Sequence, residues 1–259
     1  MSWATGRGRS RSSAPSGSDS LAGMRVAAGT SGFSYKEWQG TFYPEKFSAS
    51  RMLEFYAARL PAVELNNTFY RMPADALIQG WESKSPANFQ FILKAPRSMT
   101  HIRKLDDCAD TLGRFIGAAS RLGNKLGPML FQLPPNFQKN TGRLEAFLRL
   151  LPDGARVAFE FRHPSWYDDE TYAVLRGHNV ALCTADVDDE DAPPIVPTAS
   201  FGYLRLRRLD YTQEQIAGWA EQVRRQPFEE AYVFFKHELK APALATAFNA
   251  HFAAHVTGA

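Results

Sequence analysis

The stretch R-V-A-F-E-F-R-H-P-S-W-Y-D-D-E-T-Y-A-V-L-R-G-H-N-V-A-L-C-T-A-D at 156–186 decides the fold. Arg156–Phe161 is a short run rich in apolar residues that reads as a buried strand. Asp168–Gly177 follows with helical amphipathic spacing, and Val180–Ala185 returns to a short apolar run. A strand, a helix and a second strand in that order form a βαβ unit, whose strands pair in parallel.

The same rhythm extends in both directions from Met24 onward. Further strands are read at Val26–Ser31, Ala62–Leu65, Gln90–Lys94, Pro128–Leu133, Phe201–Leu206 and Ala231–Phe235. Helices are read at Ala49–Leu60, Ala74–Lys84, Ala109–Leu122, Gly142–Leu150, Thr212–Arg225 and Ala241–Ala254, with Ser48 or Ser50 and the Thr212–Glu214 pair as start signals. One gap breaks the pattern: Val187–Ser200 carries four acids and three prolines, which disfavour a regular helix. The expectation is a TIM-like (β/α)8 barrel whose sixth helix is reduced or missing, with a doubly wound open sheet as the alternative. A length of 259 residues suits one such barrel.

Residues 1–23 read differently. This Ser/Gly/Arg-rich segment has too few apolar residues to fold and is expected to be a disordered tail before a barrel domain at 24–259, with an upstream extension of a domain starting at Met24 as the alternative. It holds Arg7, Arg9 and Arg11 against Asp19, so +2 of the total +3 charge sits there and the remainder is nearly neutral. A near-neutral domain disfavours nucleic acid as a partner, because nonspecific affinity for it comes from neutralising phosphates. No run approaches the roughly 18 apolar residues of a membrane span. Two cysteines, Cys108 and Cys183, with no C-x-x-C pair, fit a reducing, cytoplasmic setting.

Barrel chemistry is built at the C-terminal ends of the strands, and polar residues concentrate there. Strand one ends in Gly29-Thr30-Ser31-Gly32, followed by Tyr35 and Trp38; strand two ends in Glu64, with Asn66 and Tyr70 beyond. Lys94 closes strand three with His101 downstream, and Gln132 closes strand four. Strand five contributes Glu160, Arg162, His163 and Trp166, and Asp186 follows strand six. Arg205 and Arg207 mark strand seven, and Lys236 follows strand eight.

Each of these residues also has a plainer reading. Glu160 and Arg162 lie two apart on a strand and share a face, which suits a buried ion pair as well as a substrate-orienting one. His163 suits a loop role, and Tyr35, Trp38 and Trp166 suit packing as well as an aromatic wall. Asn66 and Gln132 suit loop backbone partners. The Gly29–Gly32 turn can cradle an anion through its backbone N–H groups, although it lacks the spacing of a phosphate-loop or dinucleotide motif.

Five stretches carry a resemblance: G-T-S-G-F-S-Y-K-E-W-Q-G-T-F-Y-P at 29–44, V-E-L-N-N-T-F-Y at 63–70, F-I-L-K-A-P-R-S-M-T-H at 91–101, F-Q-L-P-P-N-F at 131–137 and E-F-R-H-P-S-W at 160–166. Together they resemble the YecE-like family, known as domain of unknown function 72. The resemblance implies a TIM-like barrel and no particular activity. The chain departs from the family's pattern at two places. It has Arg205-Leu206-Arg207-Arg208 where relatives often show R-L-H-G, and Lys236-His237-Glu238 where many place asparagines.

Charge at the strand ends separates mechanisms. Glu64, Glu160 and Asp186 oppose Lys94, Arg162, Arg205 and Lys236, with Arg207 a further cation if it turns inward. A cation surplus is balanced by an anionic ligand, whereas hard divalent metals prefer an excess of carboxylates. The leading expectation is an enzyme acting on a small carboxylate- or phosphate-bearing metabolite. Glu160, Asp186, His163 and Lys94 are its catalytic candidates. Its binding candidates are Thr30, Tyr35, Trp38, Glu64, Asn66, Tyr70, His101, Gln132, Arg162, Trp166, Arg205 and Lys236. No metal is expected, and the sequence specifies neither a cofactor nor an oligomeric state. The alternatives are a metal-dependent phosphodiesterase resembling endonuclease IV-like barrels, with Glu64, Glu160, Asp186 and a histidine as ligands, and a noncatalytic binding barrel.

Overall fold

In the computed structural model, which describes residues 23–188 and 194–253, eight parallel strands alternate with helices around a nearly closed barrel. The strands are β1 (Arg25–Ser31), β2 (Ala62–Leu65), β3 (Gln90–Leu93), β4 (Met129–Gln132), β5 (Val157–Glu160), β6 (Ala181–Asp186), β7 (Phe201–Leu206) and β8 (Glu230–Phe235). The helices are α1 (Met52–Ala57), α2 (Asp75–Ser83), α3 (Ala109–Ala119), α4 (Thr141–Leu148), α5 (Asp169–Gly177), α6 (Gln213–Arg224) and α7 (Ala241–Ala253). The sheet runs β3-β2-β1-β8-β7-β6-β5-β4. Its seam between β3 and β4 is closed by two isolated parallel bridges, Phe91 to Leu126 and Lys94 to Leu130. This is a TIM-like (β/α)8 barrel, and the open-sheet alternative is set aside.

No helix lies between β6 and β7 among the described residues, as the prolines there require. Residues 189–193 of the acidic segment, and residues 1–22 of the expected tail, lie outside the described residues. Beyond them the return to β7 is pinned by a buried side chain. Thr198 Oγ1 donates to the Val180 carbonyl at 2.7 Å and accepts from the Leu182 N–H at 2.8 Å.

Several expected ends shift by a few residues. The first helix is shorter than its pattern, because Ala49–Arg51 forms a 3-10 turn before α1. The start of α6 is a capping box, but the partner of Thr212 is Gln215, not Glu214. Among the described residues no helix is long and apolar enough to cross a membrane.

The period-two alternation of strands positions the site. Ala27, Ala62, Ile92, Leu130, Ala158, Ala181, Cys183, Phe201, Tyr203, Tyr232 and Phe234 form a separate buried cluster that fills the lumen. The other strand face packs against the helices through Val63, Leu65, Phe131, Phe159 and Leu204, among others. Steps of two along the inward face therefore lead from Ala62 to Glu64, from Ile92 to Lys94, from Leu130 to Gln132, from Ala158 to Glu160 and from Tyr203 to Arg205. The lumen is apolar along its middle, is closed at its N-terminal end by Arg156 donating to Glu230, Tyr232 and Gln90, and is ionic at its C-terminal rim.

Candidate functional site

At that rim Arg205, 3% exposed, bridges two carboxylates that have no exposure at all. Its two terminal nitrogens donate to Glu160 Oε2 at 2.5 Å and to Glu64 Oε1 at 2.8 Å. Glu64 also accepts from Tyr203 Oη at 2.7 Å, Asn66 Nδ2 at 2.9 Å and Ser31 Oγ at 2.9 Å. Glu160 accepts from Arg162 Nε at 2.7 Å and Gln132 Nε2 at 2.8 Å, with Arg207 at 3.4 Å. Gln132 Oε1 in turn accepts from Lys94 Nζ at 2.9 Å. One connected network thus runs from Lys94 to Glu64 across the barrel.

Burial opposes the charge on both glutamates, but the arginines outweigh it, and each carboxyl is held below its ordinary range. Lys94 is affected in the opposite sense. Burial, reinforced by the nearby Arg205 guanidinium, lowers its ammonium to about 8 despite the pull of Glu64 and Glu160. Its Nζ lies 4.2 Å from the centre of the Phe69 ring. Burial and the neighbouring Arg205 also lower Arg207, although Glu160 opposes them. Among the described residues, Arg205 and Arg207 each keep a buried Nε with no hydrogen-bond partner.

Above this network lies a cavity of about 300 Å³. Tyr35, Asn66, Tyr70, Lys94, Gln132, Arg162, Arg205 and Lys236 line it, so eight of the expected residues do converge. Glu64 and Glu160 lie beneath them. Arg207 turns inward and lines the cavity as a fifth cation, together with Ser31 and Phe69. Among the described residues no carboxylate lines it.

Six expected residues lie elsewhere. Asp186 is the main correction: Ala181 and Cys183 point into the lumen, so alternation turns Asp186 outward. There it accepts from Arg208 Nε at 2.7 Å and Tyr211 Oη at 2.8 Å. Thr30 faces outward for the same reason, with its Oγ1 2.8 Å from Tyr56 Oη of α1. Trp38 and Trp166 are buried loop anchors whose indole N–H groups donate to the carbonyls of Glu238 at 2.8 Å and Phe137 at 2.7 Å. His163 sits at the head of a short turn, where Nδ1 accepts from the Ser165 N–H at 3.2 Å. His101 packs edge-on to Phe69, with ring centres 4.9 Å apart, outside the cavity lining.

The Gly29–Gly32 anion cradle is also corrected, because Gly29–Ser31 continue β1. The Thr30 and Gly32 N–H groups are occupied by Tyr56 Oη at 2.9 Å and the Glu64 carbonyl at 2.8 Å. A Cβ on Gly29 would lie 1.9 Å from the Ala62 carbonyl oxygen, so glycine serves there as a close-approach residue. Tyr203 escaped the sequence reading, although its place two residues before Arg205 gives it the same inward face. Among the described residues no three His, Cys, Asp or Glu side chains are grouped to hold a metal ion.

Known proteins resemble this chain. UPF0759 protein YecE of Escherichia coli K12 is 31% identical over 128 residues, which span 48% of this chain and 47% of that protein. The chain thus matches about half the length of YecE. UPF0759 protein YunF of Bacillus subtilis 168 is 30% identical over 194 residues, covering 69% of this chain and 68% of that one. The crystal structure of a DUF72 family protein from Thermotoga maritima MSB8 superposes with a TM-score of 0.79 at 28% identity, covering 88% of this chain and 99% of the other. The model of the family described as "Protein of unknown function DUF72" matches residues 27–258, and the chain belongs to that family.

Proposed function

We propose that this barrel is an enzyme acting on a small anionic metabolite, a carboxylate or phosphate, held at the strand-end cavity. One observation carries the reading. Among the described residues, Lys94, Arg162, Arg205, Arg207 and Lys236 line the cavity without a lining carboxylate, and Glu64 and Glu160 oppose them from below. Cations gathered at a partly desolvated face repel one another, and a bound anion relieves that repulsion. Arg162, at the rim with its Nε fixed by Glu160, presents its remaining donors as a planar fork suited to two oxygens.

On this reading the expected catalytic roles are distributed differently. Glu160 is held ionised by three guanidinium groups and serves to orient them, so it is poorly suited to carrying a proton. Asp186 serves the outer wall. Lys94, lowered to about 8, exchanges a proton near neutral pH and is the group that would move one to or from the substrate. The test is thermal shift with inorganic phosphate in the presence of a chelator. A specific ligand should raise Tm with the logarithm of its concentration, and Arg162→Ala should abolish that rise. Arg162→Ala also controls for the general stabilisation by excluded salts, which it leaves in place. A phosphate response that is absent, or unchanged in Arg162→Ala, would refute the proposal.

A further inference from the structure

A second cavity, of about 510 Å³, shares Phe69 and Tyr70 with the strand-end cavity. Among the described residues four arginines and no carboxylate line it: Arg71, Arg97, Arg103 and Arg114. Arg103 is paired with Asp107 at 2.6 Å. The side chains of Arg71, Arg97 and Arg114 make no ion pair or hydrogen bond among the described residues. Three arginines with no ion-pair partner among the described residues make this hollow electropositive.

The backbone around this hollow is unusual. Ser98–Ile102 forms a π-helical turn, a form that recurs at functional sites. Just beyond it Lys104, Leu105 and Asp107 adopt left-handed φ values of 50°, 70° and 44°, a conformation that disfavours non-glycine residues. At the divide between the two cavities Tyr70 stands 82% exposed, its ring meeting Phe69 edge-on with centres 5.0 Å apart. Behind it Phe69 contacts both Lys94 and His101, so the divide touches the network of the first cavity directly.

We infer that the two cavities form one bipartite site for a small molecule that carries two separate anionic groups and a flat ring. A nucleoside bisphosphate, phosphorylated at both ends of its ribose with the base at a third position, is one member of that class. One anion sits at Arg162 and Arg205, the ring lies on Tyr70, and the second anion is held by Arg97 and Arg114. The inference rests on the strand-end cavity being an anion site.

Calorimetric titration in a chelator tests it with inorganic phosphate, adenosine monophosphate, adenosine bisphosphate and an oligothymidylate as probes. The bisphosphate should bind at least about tenfold more tightly than the monophosphate, since its second anion binds intramolecularly. That advantage should vanish in the doubly substituted Arg97→Ala/Arg114→Ala protein while monophosphate affinity is kept; both positions are exposed, so the fold should tolerate the change. Tyr70→Ala should weaken both nucleotides by a larger factor than it weakens inorganic phosphate. Equal affinity for the two nucleotides, with phosphate binding still lost in Arg162→Ala, would overturn the bipartite site and leave the first proposal standing. Absence of any Arg162-dependent phosphate binding would overturn both. An oligothymidylate bound more tightly than the bisphosphate through the same arginines would make the occupant a strand and overturn the small-molecule assignment.

Discussion

Replacing Arg205 by leucine should cost the barrel far more than the loss of an ordinary surface arginine. Arg205 is 3% exposed and holds Glu160 and Glu64 at 2.5 and 2.8 Å, each with no exposure. Glu160 would keep Arg162 and Arg207. Glu64 would keep only the neutral donors Tyr203, Asn66 and Ser31, because Arg205 is its one cationic partner among the described residues. Breaking a buried pair from one side leaves an uncompensated charge and costs about 3–5 kcal/mol. For a domain of this size that is a fall in Tm on the order of 10 °C.

The sign of the pH dependence makes the test specific. In the native protein Glu64 is held below its unfolded value of about 4.3, so its contribution is present above that pH and is lost as the pH falls through the folded value. Without Arg205, burial is left to dominate and raises Glu64 above its unfolded value. The folded variant then binds the extra proton, and its stability falls as the pH rises between the two values. Urea denaturation of both proteins at pH 7 and pH 5 should show a deficit that shrinks at the lower pH. Adding Glu64→Gln to Arg205→Leu should recover part of it. A deficit under about 1 kcal/mol, or one that is equal at both pH values and unaffected by Glu64→Gln, would refute the reasoning.

Two further outcomes follow from the same geometry. Lys94, lowered to about 8 by burial and Arg205, is about one-tenth neutral at pH 7, against under about a thousandth for an ordinary lysine. Limiting acylation followed by peptide mass spectrometry should label it early, with a rate that rises through a midpoint near that pH; a midpoint near 10 would refute the lowered value. Asp186→Asn should weaken the anchoring of Arg208 and Tyr211 and lower stability by about 1–3 kcal/mol, while phosphate binding stays unchanged. A loss of phosphate binding at unchanged stability would return Asp186 to the site.

The strands were legible because their apolar runs are short and separated by long amphipathic segments, and Ala62–Leu65 and Phe201–Leu206 coincide with the observed β2 and β7. Residues that continue the lumen-facing alternation of their strands, such as Glu64, Lys94, Gln132 and Arg205, were legible for the same reason. Asp186 was misplaced because nearness to a strand end says nothing about parity. One residue's difference in register decides whether a side chain meets the lumen or a helix. Arg207 was left open on the same point. Trp38 and Trp166 were ambiguous because an indole suits a ligand wall and a loop anchor equally; only their carbonyl partners, at 200 and 29 residues' separation, distinguish the two. The arginines of the second cavity were invisible as a group, since Arg71, Arg97 and Arg114 belong to three different loop and helix segments.

The bridge made by Arg205 has a kinetic consequence. Its partners lie 141 and 45 residues away in the chain, on strands that are not its sheet neighbours. Contacts of such long sequence separation carry a large loop-closure cost and form late. The spoke between β2, β5 and β7 can take hold only once the barrel wall around it has closed, so it belongs to the native state more than to the transition state. Interactions of that kind leave the folding rate nearly untouched and slow escape from the folded form. The ionic rim that holds the candidate site in shape is thereby also a latch on the lifetime of the whole barrel.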